Sequence, residues 1–341
     1  MREWPIPLAC PRDTSSLRAD SDGNTLHCQH EHPYRVIDGI PILLIEEAVQ
    51  THSAALATLK AKAEDGPWYF ETLGCSPAER VAIASQTASH DKRLVDPVAS
   101  WLIAATNGRL YTHLIGRLSS YPIPNIRLPQ GEGRFLLDIG CNWGRWSLAA
   151  ARKGYQVIGI DPSLGAVAAA RRVAKELGIA ASFIVGDARY LPFADGSFDT
   201  CFSYSVLQHF EKSDARTAVK EISRVLKAKG MSLIQMPNTI GVGNLRHEVK
   251  RGFRKAREFE VRYWTPGQLM RVFKELIGES RLTVDGFFGL GIQASDVEHL
   301  SRGSRLIVRA SEQLRVLSQY MPVLNYLADS LYVSSVRRDQ A

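Results

Sequence analysis

The chain has 341 residues, of which 45% are hydrophobic and 23% are charged, which is ordinary for a folded globular protein. Its length allows more than one folding unit, and its net charge of +7 permits an anionic partner without requiring one. The sequence shows no secretory signal, no apolar run as long as a membrane-spanning helix needs, and five cysteines, an odd number that does not suggest a disulfide framework. We therefore expect a reduced, cytoplasmic protein.

The first segment, residues 1–48, holds two cysteines and three histidines. The pair Asp38-Gly39, between apolar residues, predicts a β-hairpin turn. A Cys-Pro pair, a later cysteine and the run Tyr-Arg-Val-Ile-Asp-Gly-Ile-Pro at 34–41 resemble a small zinc-ribbon-like family. That family includes activator subunits of tRNA and protein methyltransferases.

The resemblance implies a metal site, but Asp13 stands where the family has the second cysteine of a Cys-x-x-Cys pair. The remaining candidate ligands are Cys10, Cys28 and either His30 or His32. Structural zinc prefers four nitrogen or sulfur ligands, so we expect a metal-free β-ribbon more than a zinc site.

The second segment, residues 49–130, is predicted to be a helical cap followed by a linker. Ser76-Pro-Ala-Glu79 is a capping box with proline at the first helical position. Another helix is expected to begin at an Asp96 cap and to stop near Gly108. Tyr111 is a weak candidate for a residue that folds over a bound cofactor.

In the third segment, residues 131–341, short apolar strands alternate with helices. Five strands are predicted at 134–140, 156–161, 181–187, 198–206 and 231–237, and two weaker ones at 281–288 and 330–337. This alternation predicts an α/β fold with a mostly parallel seven-stranded sheet and helices on both faces. Insertions are expected at about 239–263 and 291–328, the second with a long amphipathic helix whose commonest role would be to fill the core.

Ligands of open parallel sheets bind beyond the carboxyl ends of the strands, and three strands deliver acids there. Asp138 ends the first strand, Asp161 the second and Asp187 the third. Between the first strand and its helix lies a loop with Gly140, Asn142 and Gly144. A dinucleotide fold needs glycine at 142 and 145, where this chain has Asn142 and Arg145, so a nicotinamide enzyme is disfavoured.

Five runs of this segment, in order, resemble the class I S-adenosylmethionine-dependent methyltransferases, especially their type 11 domain. They are Leu-Leu-Asp-Ile-Gly-Cys-Asn-Trp-Gly-Arg at 136–145, Val-Ile-Gly-Ile-Asp-Pro-Ser at 157–163, the stretch 186–199, and 203–210 with 221–238. The resemblance covers roughly residues 132–240 and departs from the family pattern at Asn142. It implies the Rossmann-like methyltransferase fold, S-adenosyl-L-methionine as cofactor and an EC 2.1.1.- activity.

The resemblance also implies residue roles. Asp138 and the loop Gly140–Gly144 would hold the methionine end of the cofactor, with Asn142 narrowing the loop. Asp161 would accept hydrogen bonds from both ribose hydroxyls, and Asp187, with the Ala188 backbone N–H, would hold the adenine. These acids would otherwise serve only to cap helices or end strands.

Methyl transfer from a sulfonium needs a base only when the acceptor must lose a proton. His209 is the best-placed candidate for this base. A purely structural role for its side chain is an equal alternative. Tyr204 would line the methyl pocket beside the cofactor, although packing is the commoner role for such a tyrosine. Trp143 and Trp146 are expected to pack on the helix that follows the loop.

Residues 246–262 contain seven basic and three acidic side chains, a net +4. This basic insertion is either a solvated helix face or a clamp for an anionic acceptor. We expect a small-molecule, glycan or lipid-linked acceptor, methylated on oxygen or nitrogen. RNA is the alternative acceptor, because the first segment resembles subunits of RNA-modifying systems. Against RNA, no RNA-binding module is recognisable in the sequence. A catalytically inactive binding protein of the same fold is a further alternative.

Overall fold

The computed structural model describes residues 4–65, 68–71, 75–89, 94–106, 112–289 and 293–339. The chain divides into two compact units, Met1–Ala194 and Asp195–Ala341. None of the helices in these described ranges is long and apolar enough to cross a membrane.

The sheet of the first unit consists of strands that come from both ends of its sequence. These strands are β1 (Arg18–Ala19), β2 (Thr25–His27), β3 (Pro33–Ile37), β4 (Ile40–Leu43), β5 (Phe135–Ile139), β6 (Gln156–Asp161) and β7 (Ser182–Gly186). Their spatial order is β1-β2-β3-β4-β7-β6-β5. β5, β6, β7 and β4 are parallel neighbours, whereas β1 to β4 form antiparallel pairs.

The hairpin predicted at Asp38-Gly39 is confirmed. Both residues have positive φ, 49° and 70°, and the flanking strands pair with Ile37 opposite Ile40. Such a two-residue turn suits the twist of the strands that it joins. The hairpin then adds β4 to the edge of β7, with Ile42 opposite Val185.

Three helices of the first unit lie between β4 and β5 in sequence, and two more follow β5 and β6. They are α1 (Ser53–Lys60), α2 (Pro77–Ser89), α3 (Pro97–Thr106), α4 (Arg145–Ala151) and α5 (Leu164–Glu176). The predicted capping box is confirmed, because the Ser76 N–H donates to Glu79 Oε2 at 2.7 Å and the Glu79 N–H to Ser76 Oγ at 3.3 Å. The Asp96 cap is also confirmed by the bond from the Ala99 N–H, 2.9 Å.

The second unit has a sheet in the order β8-β9-β11-β10. Its elements are β8 (Phe198–Ser203), α6 (Lys212–Val225), β9 (Leu226–Pro237), α7 (Val242–Lys250), α8 (Pro266–Leu276), β10 (Gly278–Gly286), α9 (Arg302–Leu317), α10 (Leu324–Leu327) and β11 (Ser330–Arg337). The two weakly predicted strands are therefore confirmed as β10 and β11. Only β8 and β9 are parallel, because β11 enters between β9 and β10 in the antiparallel direction.

Two expectations about the architecture were wrong. The described ranges hold eleven strands in mixed directions, not a mostly parallel set of seven. The excess arises from the first segment, whose strands were not assigned to the sheet of the methyltransferase fold. The long helix expected within 291–328 does not fill the core either, because Val308 is the only residue of α9 that is buried.

Candidate functional site

The loop after β5 is a tight turn held by its own backbone. Gly140, Asn142 and Gly144 all have positive φ, at 74°, 49° and 88°. The Gly140 and Cys141 N–H groups both donate to the Ile160 carbonyl, at 2.8 and 3.0 Å. Asparagine tolerates this left-handed conformation better than most residues, which explains how Asn142 replaces a glycine.

The Asn142 side chain turns back onto the loop itself. Its Oδ1 accepts a hydrogen bond from the Trp143 N–H at 2.8 Å. Gly144, in contrast, has no room for a side chain, since an added Cβ would lie 3.2 Å from both Ala170 Cβ and Phe183 Cζ. The loop therefore keeps its last glycine for steric reasons and replaces its middle one with a residue that braces the turn.

Asp138, at the end of β5, is 1% exposed and accepts a hydrogen bond from Ser147 Oγ at 2.6 Å. Burial raises its pKa to about 7, and the nearby charge of Asp161 adds to that rise while the Ser147 hydrogen bond opposes it. A buried carboxyl with a raised pKa is well suited to a cationic group, which would restore its charged form.

Asp161, at the end of β6, is fixed in place by two backbone donors. The Asn142 N–H donates to one oxygen at 2.9 Å and the Ser163 N–H to the other at 3.0 Å. Burial raises the pKa of Asp161 to about 6, against the lowering effect of these hydrogen bonds. The β5 loop and the β6 end are thus one hydrogen-bonded unit.

Glu71 was not among the residues predicted from the sequence, yet it lies beside Asp161. It accepts hydrogen bonds from Ser163 Oγ at 2.5 Å, from Thr58 Oγ1 at 2.9 Å and from the Gly165 N–H at 3.2 Å. Its negative charge contributes to the raised pKa of Asp161. No local pattern marks Glu71, because its partners lie more than 90 residues away except for Thr58.

Asp187, after β7, already has a cationic partner. Arg189 Nη2 donates to Asp187 Oδ2 at 2.7 Å, and both side chains are buried. The same guanidinium donates to the Val49 carbonyl at 2.7 Å. The adjacent Ala188 is buried as well. Arg189 was not predicted from the sequence. Its side chain occupies at least one Asp187 oxygen, and Asp187 was expected to accept a hydrogen bond from the adenine amine.

In the second unit, Tyr204 belongs to a buried polar network at the ends of several strands. Its hydroxyl donates to Asp285 Oδ2 at 2.7 Å and accepts from Gln293 Nε2 at 2.7 Å. Asp285 also accepts from Ser330 Oγ at 2.7 Å, which in turn accepts from Gln235 Nε2 at 2.7 Å. Of these partners the sequence singled out only Tyr204.

His209 follows β8 and is attached to the basic insertion. Its Nδ1 lies 2.7 Å from the Phe259 carbonyl, to which it donates, and its ring stacks on Phe259 with centroids 3.8 Å apart. The proton on Nδ1 leaves Nε2 as an acceptor, 3.2 Å from Gln208 Nε2. This tautomer is the one that a general base at Nε2 requires, although the same contacts also give the ring a structural role.

Several cations of the basic insertion have acidic partners within the second unit. Arg254 makes two bonds of 2.7 Å to Glu260, Arg262 pairs with Glu211 at 2.6 Å, and Arg251 pairs with Glu248. Glu211 lies outside the insertion, so the net charge counted over 246–262 overstates the charge left for an anion. The predicted clamp must therefore depend on the cations other than these three.

Trp143 and Trp146 are 2% and 8% exposed, which confirms that they pack in the interior. Trp143 stacks on Tyr121 with ring centroids 5.8 Å apart. Tyr111 lies outside the described residues.

A second cluster lies in the first segment, where four potential metal ligands converge. The Sγ atoms of Cys10 and Cys28, a carboxylate oxygen of Asp13 and a ring nitrogen of His32 all lie within 4.8 Å of one another. His30 is beside the cluster and contacts Asp13 Oδ2 through Nδ1 at 2.8 Å. The structure thus distinguishes the two histidines that the sequence left as alternatives.

Comparison with known proteins identifies the central part of the chain. Residues 136–230 match the family model of a methyltransferase domain. This part of the chain is thus similar to methyltransferase domains, and its Rossmann-like arrangement of strands and helices agrees with that similarity. The resemblance of the first segment to zinc-ribbon-like activators is not established by these comparisons and stays a prediction.

Three relatives illustrate the range of proteins that share this domain. An uncharacterized methyltransferase, YcgJ of Bacillus subtilis, is 39% identical over 100 residues, 29% of this chain and 39% of its own length. The O-methyltransferase resE of Aspergillus sclerotiorum is 35% identical over 105 residues, 30% of this chain and 39% of its own. The tRNA (carboxymethyluridine(34)-5-O)-methyltransferase alkbh8 of Xenopus tropicalis is 30% identical over 193 residues, 52% of this chain and 29% of its own. The chain thus spans well under half of each relative.

Proposed function

We propose that the protein is an S-adenosylmethionine-dependent methyltransferase that methylates oxygen or nitrogen of a small-molecule, glycan or lipid-linked anionic acceptor. The observation that carries the proposal is the pair of buried carboxyls, Asp138 and Asp161, at the strand ends beside a glycine-containing loop, in the part of the chain that matches a methyltransferase domain. A phosphate would be repelled by these acids, whereas a cofactor with an ammonium, a sulfonium and free ribose hydroxyls complements them.

In this proposal each residue acts by binding and orienting. Asp138 and the loop Gly140–Gly144, including Asn142, hold the methionine end, and Asp161 accepts both ribose hydroxyls. Asp187, kept in place by Arg189, accepts the adenine amine through its remaining oxygen capacity, and the Ala188 N–H donates to the ring. The bound cofactor supplies an electrophilic methyl group, so positioning is the main contribution required of the protein.

Tyr204 and His209 are the proposed acceptor-side residues. Tyr204 lines the methyl pocket, and His209 removes a proton from the acceptor through Nε2. We expect His209→Gln to lower the rate of methyl transfer by roughly 10²–10⁴-fold while cofactor affinity stays the same. Wild-type turnover in that variant would remove His209 from the mechanism.

The acceptor class is tested by transfer of a labelled methyl group. The protein is incubated with methyl-labelled S-adenosylmethionine and a cell extract, and the products are separated into RNA, aqueous, glycan and lipid fractions. Label outside the RNA fraction that is absent with Asp161→Ala supports the proposal. Label that nuclease releases would favour the alternative of an RNA methyltransferase.

The RNA alternative has one specific support, since a relative is named as a tRNA methyltransferase. Against it, several cations of the basic insertion are already paired with acids of the same unit. Cofactor binding without transfer to any fraction would leave the third reading, a catalytically inactive binding protein of this fold.

We also propose that the first segment holds a structural zinc ion on Cys10, Asp13, Cys28 and His32. Zinc bonds of about 2.0 Å to nitrogen or oxygen and 2.3 Å to sulfur place tetrahedral ligands about 3.3–3.8 Å apart. The observed separations agree: His32 Nδ1 is 3.6 Å from Cys10 Sγ, 3.3 Å from Cys28 Sγ and 3.3 Å from Asp13 Oδ2. Cys28 Sγ is 3.6 Å from the same Asp13 oxygen.

Neighbouring groups are arranged as a ligand set requires. The Arg12 N–H points to Cys10 Sγ at 3.4 Å and the His30 N–H to Cys28 Sγ at 3.3 Å, as donors that stabilise thiolates. The His30 ring orients the Asp13 carboxylate. This proposal differs from the metal-free ribbon that the sequence favoured, because the sequence could not show how close the Asp13 carboxylate lies to the other three side chains.

Elemental analysis of the purified protein tests the zinc proposal. We expect about one zinc per chain in the wild type, loss of zinc in Cys28→Ser and retention in Cys75→Ser, which changes a buried cysteine elsewhere. His30→Ala should keep most of the metal, since it removes only an orienting contact. A wild-type protein that contains no zinc and takes up no cobalt would overturn the assignment.

A further inference from the structure

Large apolar side chains are exposed in three segments of the second unit: residues 240–250, which include α7, residues 302–317, which form α9, and residues 318–327. These side chains are between 39% and 78% exposed. They are Ile240, Val242, Leu245 and Val249; Leu306, Ile307, Val316 and Leu317; and Tyr320, Met321, Val323, Tyr326 and Leu327. Exposed apolar side chains grouped in this way are typical of an interaction site.

The outward face of α9 combines apolar and cationic residues. Val308 is buried and Ser311 Oγ accepts from the Phe287 N–H at 2.9 Å, so this side of the helix faces the unit. With 100° per residue, the opposite side presents Arg302, Leu306, Arg309 and Leu317. Arg305 lies on the flank, where its guanidinium donates to the Leu300 and Glu298 carbonyls. The one acid of the helix, Glu312, is engaged with Arg315 at 2.9 Å, so no acid offsets the arginines of the outward face.

The ten residues that follow α9 carry no charge at all. They include Tyr320 and Tyr326, which are 78% and 54% exposed. Tyrosine is enriched where one end of a side chain meets lipid and the other meets water.

Hydrogen bonds hold α7 beside this stretch. Asn238 Nδ2 donates to the Tyr326 carbonyl at 2.9 Å and to the Ala328 carbonyl at 2.8 Å. The Asn244 N–H, in the first turn of α7, donates to Asp329 Oδ1 at 2.9 Å. The buried side of α7 holds Asn244 and Glu248. Its other side therefore presents its exposed apolar residues together with basic ones.

We propose that these three segments, 240–250, 302–317 and 318–327, form a surface that docks on an anionic lipid bilayer. Exposed apolar residues interleaved with arginine and lysine fit the interfacial layer, where the apolar side chains enter the acyl boundary and the cations meet lipid phosphates. Segment 302–327 has four arginines and one glutamate, a net +3. A second copy of this surface is a poor occupant, because two cationic patches would repel each other.

Vesicle flotation tests this surface directly. The full chain is mixed with vesicles of phosphatidylcholine alone or of equal amounts of phosphatidylcholine and phosphatidylglycerol, without a methyl donor. We expect binding to the anionic vesicles only, with an apparent affinity that falls as salt rises. Because no methyl transfer is measured, failure here leaves the proposed function untouched.

Two variants and matched controls separate the apolar from the charge contribution. Tyr320→Ser with Val323→Ser removes apolar contact, and Arg302→Glu with Arg309→Glu reverses charge on the outward face of α9. Each is expected to weaken binding by at least ~10-fold. Val81→Ser with Leu56→Ser, and Lys60→Glu with Lys62→Glu, make the same kinds of change at exposed positions of the first unit and should bind as the wild type does.

Far-ultraviolet circular dichroism and thermal melting confirm that each variant is folded. Three outcomes would overturn the proposal. The first is failure of the wild type to float with anionic vesicles. The second is binding of the docking-surface variants that equals binding of the wild type. The third is a wild-type dimer that is lost in those variants, when neither form binds vesicles.

Discussion

At the scale of single residues, the buried carboxyls are the features with the clearest chemical consequence. Burial raises the pKa of Asp138 to about 7 and that of Asp161 to about 6. The folded state therefore binds these protons more tightly than the unfolded chain does. Their contribution to stability is complete below the ordinary pKa of aspartate and is lost as the pH rises to about 7.

We therefore predict that Asp138→Asn stabilises the cofactor-free protein at pH 8 relative to the wild type, by about 1–3 kcal/mol. The difference should shrink toward pH 4, where the wild-type carboxyl is also neutral. Melting temperatures measured across this range check the prediction, with the exposed Asp22→Asn as control. A stabilisation that is the same at every pH would show that Asp138 is not held near neutral by burial.

The sequence identified the residues of the cofactor loop because their roles are local. Gly144 has a left-handed backbone conformation that glycine adopts most readily, and Asp138 and Asp161 end apolar strands. The sequence did not predict Glu71, because folding creates its contact with Ser163, which is 92 positions away. Folding likewise brings Arg189 to the Val49 carbonyl, 140 positions away. No periodicity or spacing in one sequence encodes such pairs.

At the scale of elements, the segment before the methyltransferase domain is attached to the β6 end through α1. Thr58, at 0% exposure, donates from Oγ1 toward Glu71 and accepts from the Leu164 N–H at 3.0 Å. These bonds join α1 to the start of α5, next to Asp161. A buried polar cluster thus connects α1 to α5.

We predict that Thr58→Val destabilises the protein by about 1–3 kcal/mol, because it removes the side-chain acceptor of the Leu164 N–H and one of the three donors to Glu71. Urea unfolding measures the change. Thr217→Val, at an exposed position of α6, is the matched control and should shift the unfolding free energy by less than about 0.5 kcal/mol. Equal effects of the two substitutions would mean that the cluster contributes no stability.

The two elements that the sequence misjudged have physical explanations. The amphipathic pattern of α9 predicted a buried stripe, but apolar spacing alone does not distinguish a face that meets a core from one that meets another surface. The strands of the first segment were recognised as a hairpin, yet their addition to the edge of β7 depends on contacts about 140 residues apart in sequence. The sequence pattern therefore predicted the type of each element, whereas the elements that lie beside it are determined by the three-dimensional fold.

At the scale of the whole molecule, the chain combines a methyltransferase domain with additions at both sides of it. The methyltransferase family model matches residues 136–230. The division into 1–48, 49–130 and 131–341 stays a prediction. The additions carry the proposed zinc site and the proposed bilayer surface, so they are where this chain is expected to differ from other proteins that share the domain.

Calorimetric titration with S-adenosylmethionine tests the central claim most directly. The account predicts saturable binding to the wild type and at least about 100-fold weaker binding to Asp161→Ala, which loses two charge-assisted hydrogen bonds of about 1.5–3 kcal/mol each. Asp22→Ala should bind as the wild type does, and a nicotinamide dinucleotide should not bind. A wild type that fails to bind S-adenosylmethionine, or an Asp161→Ala variant with unchanged affinity, would contradict the account.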